Sequence, residues 1–204
     1  MIRAARADSP MSTPPLVLAS TSAYRRELLQ RLRVQFEVLS PGVDEVARPG
    51  ESPAQVARRL SLEKARAVAA RRPEALVIGS DQTATLDGVG IIGKPGNHER
   101  AVAQLRAASG RTLVFHTGLC LWRPDGEPLL DCVDTRVRFR TLEDDEIERY
   151  VWAETPYDCA GSAKSEGLGV ALLEAQEGPD PSALIGLPLI RLAAMLRIAG
   201  LRLP

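Results

Sequence analysis

The segment Leu16-Val17-Leu18-Ala19-Ser20-Thr21-Ser22-Ala23-Tyr24-Arg25-Arg26-Glu27-Leu28-Leu29 changes character twice: a short apolar run breaks into hydroxyls and arginines and then turns amphipathic. It predicts strand, turn, helix. Leu16 to Ala19 is apolar and partly β-branched, as a buried strand is, whereas Leu28, Leu29 and Leu32 recur at helical spacing. The change falls at Ser20 to Ser22. A serine before a helix caps its free N–H groups, and those groups together with the helix dipole also make the place a site for an anion. Arg25 and Arg26 then fall in the first turn, where cations oppose the dipole. Two adjacent arginines there are better explained by an external anion that they help to hold, with phosphate the obvious one. A simple cap followed by solvated arginines is the competing reading, and the pattern alone does not choose between them.

The chain has 204 residues, enough to bury a substantial core as one large domain. Its 26 basic residues balance 26 acidic ones, so the composition gives no support for binding bulk nucleic acid, which usually shows as a basic surplus. Cys120, Cys132 and Cys159 are odd in number and lack CxxC spacing, and His98 and His116 are the only histidines; the spacing argues against a zinc site or a disulfide framework. Residues 1–15 carry arginines and prolines without an apolar block long enough for a signal peptide, and are expected to be a disordered leader in which Met11 is an alternative start. Residues 16–204 are expected to form a single domain. No stretch approaches a membrane span, which makes the expected location cytoplasmic.

Further along, Val34, Phe36 and Val38 alternate with Gln35 and Glu37, predicting a half-buried strand that Pro41 and Gly42 end. Asp44-Glu45 follows, which in isolation reads as a solvated loop. Ser52-Pro53-Ala54-Gln55 is a capping box with proline at the first helical position, so a helix should run from there to about Ala70. Lys64 lies on the stripe of Val56 and Leu60, where a lysine ordinarily snorkels. Ala75 to Ile78 predicts a strand ending in Gly79-Ser80-Asp81-Gln82. Asp81 is there either a turn residue or a carboxylate delivered to a cleft by a rigid strand end. Gly93-Lys94-Pro95 follows an Asp87-Gly88 turn and is nonspecific by itself.

Asn97 should cap a helix through about Ala108, closed by Gly110. Thr112 to Trp122 and Leu129 to Val133 should pair around a Pro124-Asp125-Gly126 turn, with Val137 and Phe139 in another strand. Thr141 should open a helix with Asp144 at its N3 position and a buried stripe of Ile147, Tyr150 and Val151. Cys159 to Gly169 holds three glycines and reads as a loop in close approach to something. Ile185-Gly186-Leu187-Pro188 introduces a last helix through about Ile198.

Taken in order, these elements resemble the Maf family of nucleoside triphosphate pyrophosphatases over roughly residues 16–196. Leu18-Ala19-Ser20-Thr21-Ser22-Ala23-Tyr24-Arg25-Arg26 is similar to the family's opening signature, with Ala23 where the family usually has proline. Glu63-Lys64-Ala65, Gly79-Ser80-Asp81-Gln82 and Gly93-Lys94-Pro95 resemble its later motifs. The resemblance implies an α/β fold of the Maf and inosine-triphosphatase type: an extended, twisted mixed sheet with helices around it, in two lobes flanking a nucleotide cleft. It implies hydrolysis of an α–β phosphoanhydride with Asp81 as catalytic base, Glu45 and Asp81 holding Mg2+ or Mn2+, and Ser20, Ser22, Arg25, Lys64 and Lys94 clamping the phosphates of a small-molecule nucleotide. A homodimer is compatible with it.

Members acting on dTTP and UTP tend to have Arg, Thr and Gln where this chain has Tyr24, Gln82 and Glu166; this trio resembles the subgroup acting on 7-methyl-GTP. A tyrosine face attracts the cation that N7-methylation leaves on guanine, and a carboxylate accepts from the guanine N1–H and amine. The pyrimidine substrates, and a nucleotide-sensing role in septum formation with incidental hydrolysis, are the alternatives.

Overall fold

The computed structural model describes residues 14–203. The expected leader and the alternative start at Met11 lie outside the described residues, apart from Pro14 and Pro15, and the Pro15 carbonyl already accepts a hydrogen bond from Leu76 N–H. Six strands form one mixed sheet: β1 (Leu16–Ala19), β2 (Glu37–Leu39), β3 (Leu76–Thr85), β4 (Thr112–Arg123), β5 (Gly126–Phe139) and β6 (Leu173–Glu177), in the order β2-β1-β3-β4-β5-β6. β1 runs parallel to both β2 and β3, while the pairs from β3 to β6 are antiparallel. Among the described residues five α-helices surround the sheet: α1 (Ala23–Gln30), α2 (Pro53–Ala69), α3 (His98–Ala108), α4 (Asp144–Glu154) and α5 (Leu189–Ile198).

The alternation along the long strands separates two faces. Leu76, Ile78, Leu119 and Leu121 pack with Leu28 and Leu29 of α1 and with Leu192, Met195 and Leu196 of α5. Further along the same face, Leu113, Phe115, Val137 and Phe139 pack with α3 and α4. The opposite face is covered by α2, whose Ala65 and Val68 meet Val17, Val77 and Cys120. α2 lies almost on the backbone of the sheet, because both strands beneath it carry glycine at the contact. A Cβ on Gly79 would stand 2.1 Å from Ser61 O, and one on Gly118 would stand 2.2 Å from Ala57 O. Gly79→Ala should therefore destabilise by about 3 kcal/mol, the upper part of the usual overpacking range, because backbone must move to admit the methyl. Chemical denaturation measures this, and an unchanged midpoint would refute it.

Four sequence expectations need correction. The strand expected to end at Ile78 continues to Thr85, because β4 pairs with it residue for residue from Val77↔Trp122 to Thr85↔Val114. The segments expected as two strands over 129–133 and 137–139 are one, β5, whose polar middle keeps its ladder with β4. The helix expected to open at Thr141 starts at Asp144 with no side-chain cap. Edge strand β2 is shorter than expected, and Val38 is exposed on it while Leu39 packs inward. The capping box of α2 forms as expected, with Ser52 Oγ accepting from Gln55 N–H and Gln55 Oε1 accepting from Ser52 N–H.

Candidate active site

β1 pairs with β3 only as far as Ala19↔Gly79. Beyond that point β3 keeps β4 on one side and on the other only the isolated bridge Ala84↔Ile92, and a cleft of about 450 Å³ opens beside it. That volume suits a small ligand. The next residues on β3 are Ser80, Asp81 and Gln82, so Asp81 stands in the middle of a strand at the mouth of the cleft, not at a strand end.

Asp81 shares its face with Gly79 and therefore points toward α2. There Lys64, one turn from the close contact at Ser61, places Nζ 2.6 Å from Asp81 Oδ1 and 2.7 Å from Glu45 Oε1. The lysine does not snorkel: its side chain is 5% exposed and that of Asp81 9%. Burial pushes the Asp81 carboxyl upward, against the pull of Lys64 and Arg25. Partial burial pulls Glu45 the same way, but the hydrogen bond and charge of Lys64 hold it below the ordinary carboxylate range, helped by Arg25 and Lys94. Glu45 comes from the irregular segment after β2, where Asp44 Oδ1 accepts from Val46 N–H and turns the chain.

The cation side of the cleft begins at α1. Ser22 caps the helix by accepting from Arg25 N–H at 3.4 Å, and Ser20 Oγ accepts from Ser22 N–H at 3.1 Å. Arg25 is half-buried, and its Nε donates to Gly186 O at 2.8 Å. Desolvation works against its charge, and the charges of Asp81 and Glu45 offset this. The same carbonyl accepts from Ser80 Oγ at 2.9 Å. Gly186 holds φ at +118°, a conformation that favours glycine, and thereby ties α1 to β3. Arg26 is exposed outside the cleft wall, and Lys94 lines the cleft from the segment between β3 and α3.

The far end of the cleft holds Tyr24, whose hydroxyl donates to Asp158 Oδ2 at 3.0 Å. Burial and the Asp158 carboxylate push the phenol upward. Gln82 lies on the opposite face of β3 from Asp81, and its amide nitrogen is within 3.0 Å of Ala183 O, Leu184 O and Thr117 Oγ1. It thus holds the turn that carries Gly186. Glu166 is exposed and does not line the cleft; Asp158 is the carboxylate that does. Trp152 is 68% exposed and stacks on His98, away from the cleft lining.

Asp158 and Gly186 are therefore site residues that the sequence reading missed. Asp180 was also missed: it is buried, and its carboxylate caps α5 by accepting from Ile190 N–H at 2.7 Å and Arg191 N–H at 3.3 Å. A signal for Asp180 was present in Asp180-Pro181-Ser182 ahead of the last helix. Nothing in the local pattern marked Asp158.

Glu45 and Asp81, which meet at Lys64 Nζ, are hard oxygen donors of the kind Mg2+ and Mn2+ take, and the exposed Glu45 side is open to water and phosphate oxygens beside the lysine. The residues present fit such an ion.

The fold is that of the Ham1 group of α/β proteins. The structure of the Ham1 protein from Staphylococcus aureus superposes with a TM-score of 0.51 at 16% identity, covering 90% of this chain and 98% of that one. The Ham1 protein from Coxiella burnetii gives 0.51 at 17%, with the same coverage. Residues 15–199 match the family described as Maf-like protein, and the chain belongs to that family. It is 60% identical over 193 residues to the 7-methyl-GTP pyrophosphatase of Burkholderia thailandensis, covering 93% of this chain and 89% of the relative. It is 58% identical over 185 residues to the protein of the same name from Ralstonia nicotianae, covering 90% and 95%.

Proposed function

We propose that this protein hydrolyses the α–β phosphoanhydride of a nucleoside triphosphate, with 7-methyl-GTP preferred, to give the nucleoside monophosphate and pyrophosphate. The observation that carries the reading is Lys64 held between Asp81 and Glu45 in a cleft whose remaining wall carries Arg25 and Lys94. The names of relatives 58–60% identical support the substrate.

Arg25 is steadied through Nε, which leaves the rest of its guanidinium for the triphosphate, and Lys64 and Lys94 add cations from two other elements. Ser20 and Ser22 shape the start of α1 so that its N-terminus faces the same phosphates. Water attacks the α-phosphorus, Asp81 takes its proton, and the bond to the leaving pyrophosphate breaks. Glu45 and Asp81 would hold Mg2+ or Mn2+, which supplies charge neutralisation for the phosphates when bound. At the other end, the Tyr24 ring, oriented by Asp158, attracts the positively charged methylated base, while Glu166 at the rim adds negative potential. Among the described residues no helix is long and apolar enough to cross a membrane, and three free cysteines suit the reducing cytoplasm in which we place the reaction.

With Mg2+ or Mn2+ and a panel of nucleotides, pyrophosphate should appear as the first product. Orthophosphate first, or full activity in excess chelator, would refute the reading. A second measurement tests the base. Tyr24→Ala should lower kcat/KM for 7-methyl-GTP by about tenfold more than for GTP, since cation–π contacts are worth about 0.5 to 2 kcal/mol and only the methylated base carries the charge. An unchanged ratio would mean that the base is read elsewhere in the cleft.

A further inference from the structure

Away from the cleft, β4 and β5 bring three different metal-ligating side chains to one patch. His116 pairs in register with Asp134, and Cys132 pairs with Gly118, two residues along on the same face. His116 Nδ1 lies 2.7 Å from Asp134 Oδ1, and one ligand atom from each of His116, Cys132 and Asp134 falls within 4.8 Å of the other two. His116 and Cys132 are half-buried against the N-terminal part of α2, while Asp134 is exposed, its carboxylate paired with His116. The Cys132 thiol makes no hydrogen bond among the described residues. We propose that His116, Cys132 and Asp134 form a binding site for a borderline divalent transition ion such as Zn2+, with an open fourth position to solvent.

The chemistry of the donors makes the assignment. One imidazole, one thiol and one carboxylate are the mixed N, S and O set that Zn2+ accepts, and neither Mg2+ nor Ca2+ prefers sulfur. A tetrahedral ion with Zn–N of about 2.0 Å and Zn–S of about 2.3 Å needs ligand atoms about 3.5 Å apart, so the 2.7 Å His116–Asp134 pair must open while the other separations, each within 4.8 Å, adjust to that spacing. The exposed Asp134 can supply that movement, and the two strands hold the other ligands. Burial pushes the Cys132 thiol up to about 12, with Asp134 and Asp131 acting in the same direction and the exposed Arg58 against them. A dication reverses this balance: the S–H proton leaves to solvent as the metal–sulfur bond forms, and the ion's charge meets a thiolate and two nearby carboxylates. The catalytic donors, Glu45 and Asp81, carry no sulfur, which separates the two sites by ligand type.

Titrating the chelator-treated full-length protein with Co2+ as a spectroscopic substitute should produce a thiolate-to-cobalt charge-transfer band that saturates at one ion per chain. Added Zn2+ should abolish the band by displacement. Cys132→Ser should remove the band, His116→Ala should weaken apparent affinity at least tenfold, and Asp81→Asn should retain the band. Activity of Cys132→Ser with Mg2+ should match the parent, which checks that the variant is folded. Absence of the band in the parent, its persistence in Cys132→Ser, or its loss in Asp81→Asn would each overturn the proposal.

Discussion

Asp81→Asn should lower turnover by about 10²- to 10⁴-fold, the usual worth of a general base, while the KM for the nucleotide changes little. Asparagine keeps the shape of the side chain, and its carbonyl oxygen can still accept from Lys64, so the contact between β3 and α2 survives. What is lost is the basic, anionic oxygen that takes the proton from water. Burial raises the basicity of that group, and the charges of Lys64 and Arg25 act against the rise. Steady-state kinetics with 7-methyl-GTP, beside nucleotide binding measured by calorimetry, separates the two effects. Near-normal turnover would remove Asp81 from the role of base; lost binding with unchanged turnover would make it a ligand-positioning group.

Local rules made much of this architecture legible. The strand, cap and helix over residues 16–30 and the capping box at Ser52 are specified within a few residues of themselves, and both formed as expected. The length of β3 was not legible, because a strand ends where its partners end, and β4 lies some thirty residues further along the chain. The polar Asp131 to Asp134 stretch hid the continuity of β5 for the same reason. The site divides similarly. Lys64, Asp81, Arg25 and Lys94 sit in motifs that can be matched, and the structure brings them to one cleft with Glu45.

Asp158 and Gly186 contribute through contacts with Tyr24 and Arg25, more than a hundred residues away in sequence, and no local pattern announces such contacts. Glu166 shows the converse, a motif position whose place in space the motif does not fix. A motif position implied a carboxylate in the base pocket, but the loop turns it to the rim, and the carboxylate on the wall is Asp158. Cysteine spacing reads only neighbours along the chain, whereas the side-chain cluster at Cys132 arises from strand register, which such spacing does not encode.

Lys64→Met should separate ion binding from catalysis. The lysine bridges two carboxylates from different segments, Glu45 after β2 and Asp81 on β3, and it is nearly sealed from solvent. Removing one partner from a buried ion pair costs about 3 to 5 kcal/mol when the other charge is left uncompensated. Here the loss should fall toward the lower end, since Arg25 still faces Asp81 and Glu45 is partly solvated. Turnover should drop by about 10²- to 10³-fold, comparable to deleting one preorganised donor from a charged transition state, because the phosphates lose a cation that no neighbouring side chain replaces. Mg2+ alone should behave in the opposite sense. With its competitor gone, the Glu45 and Asp81 pair is more negative, so the ion should bind the variant more tightly and raise its melting temperature more than it raises the parent's. Thermal unfolding with and without Mg2+, alongside kcat, reads both effects in one preparation. Equal stabilisation of the two proteins by Mg2+ would show that Lys64 does not compete with the ion for these carboxylates, and a variant that turns over at the parental rate would show that it does not serve the phosphates.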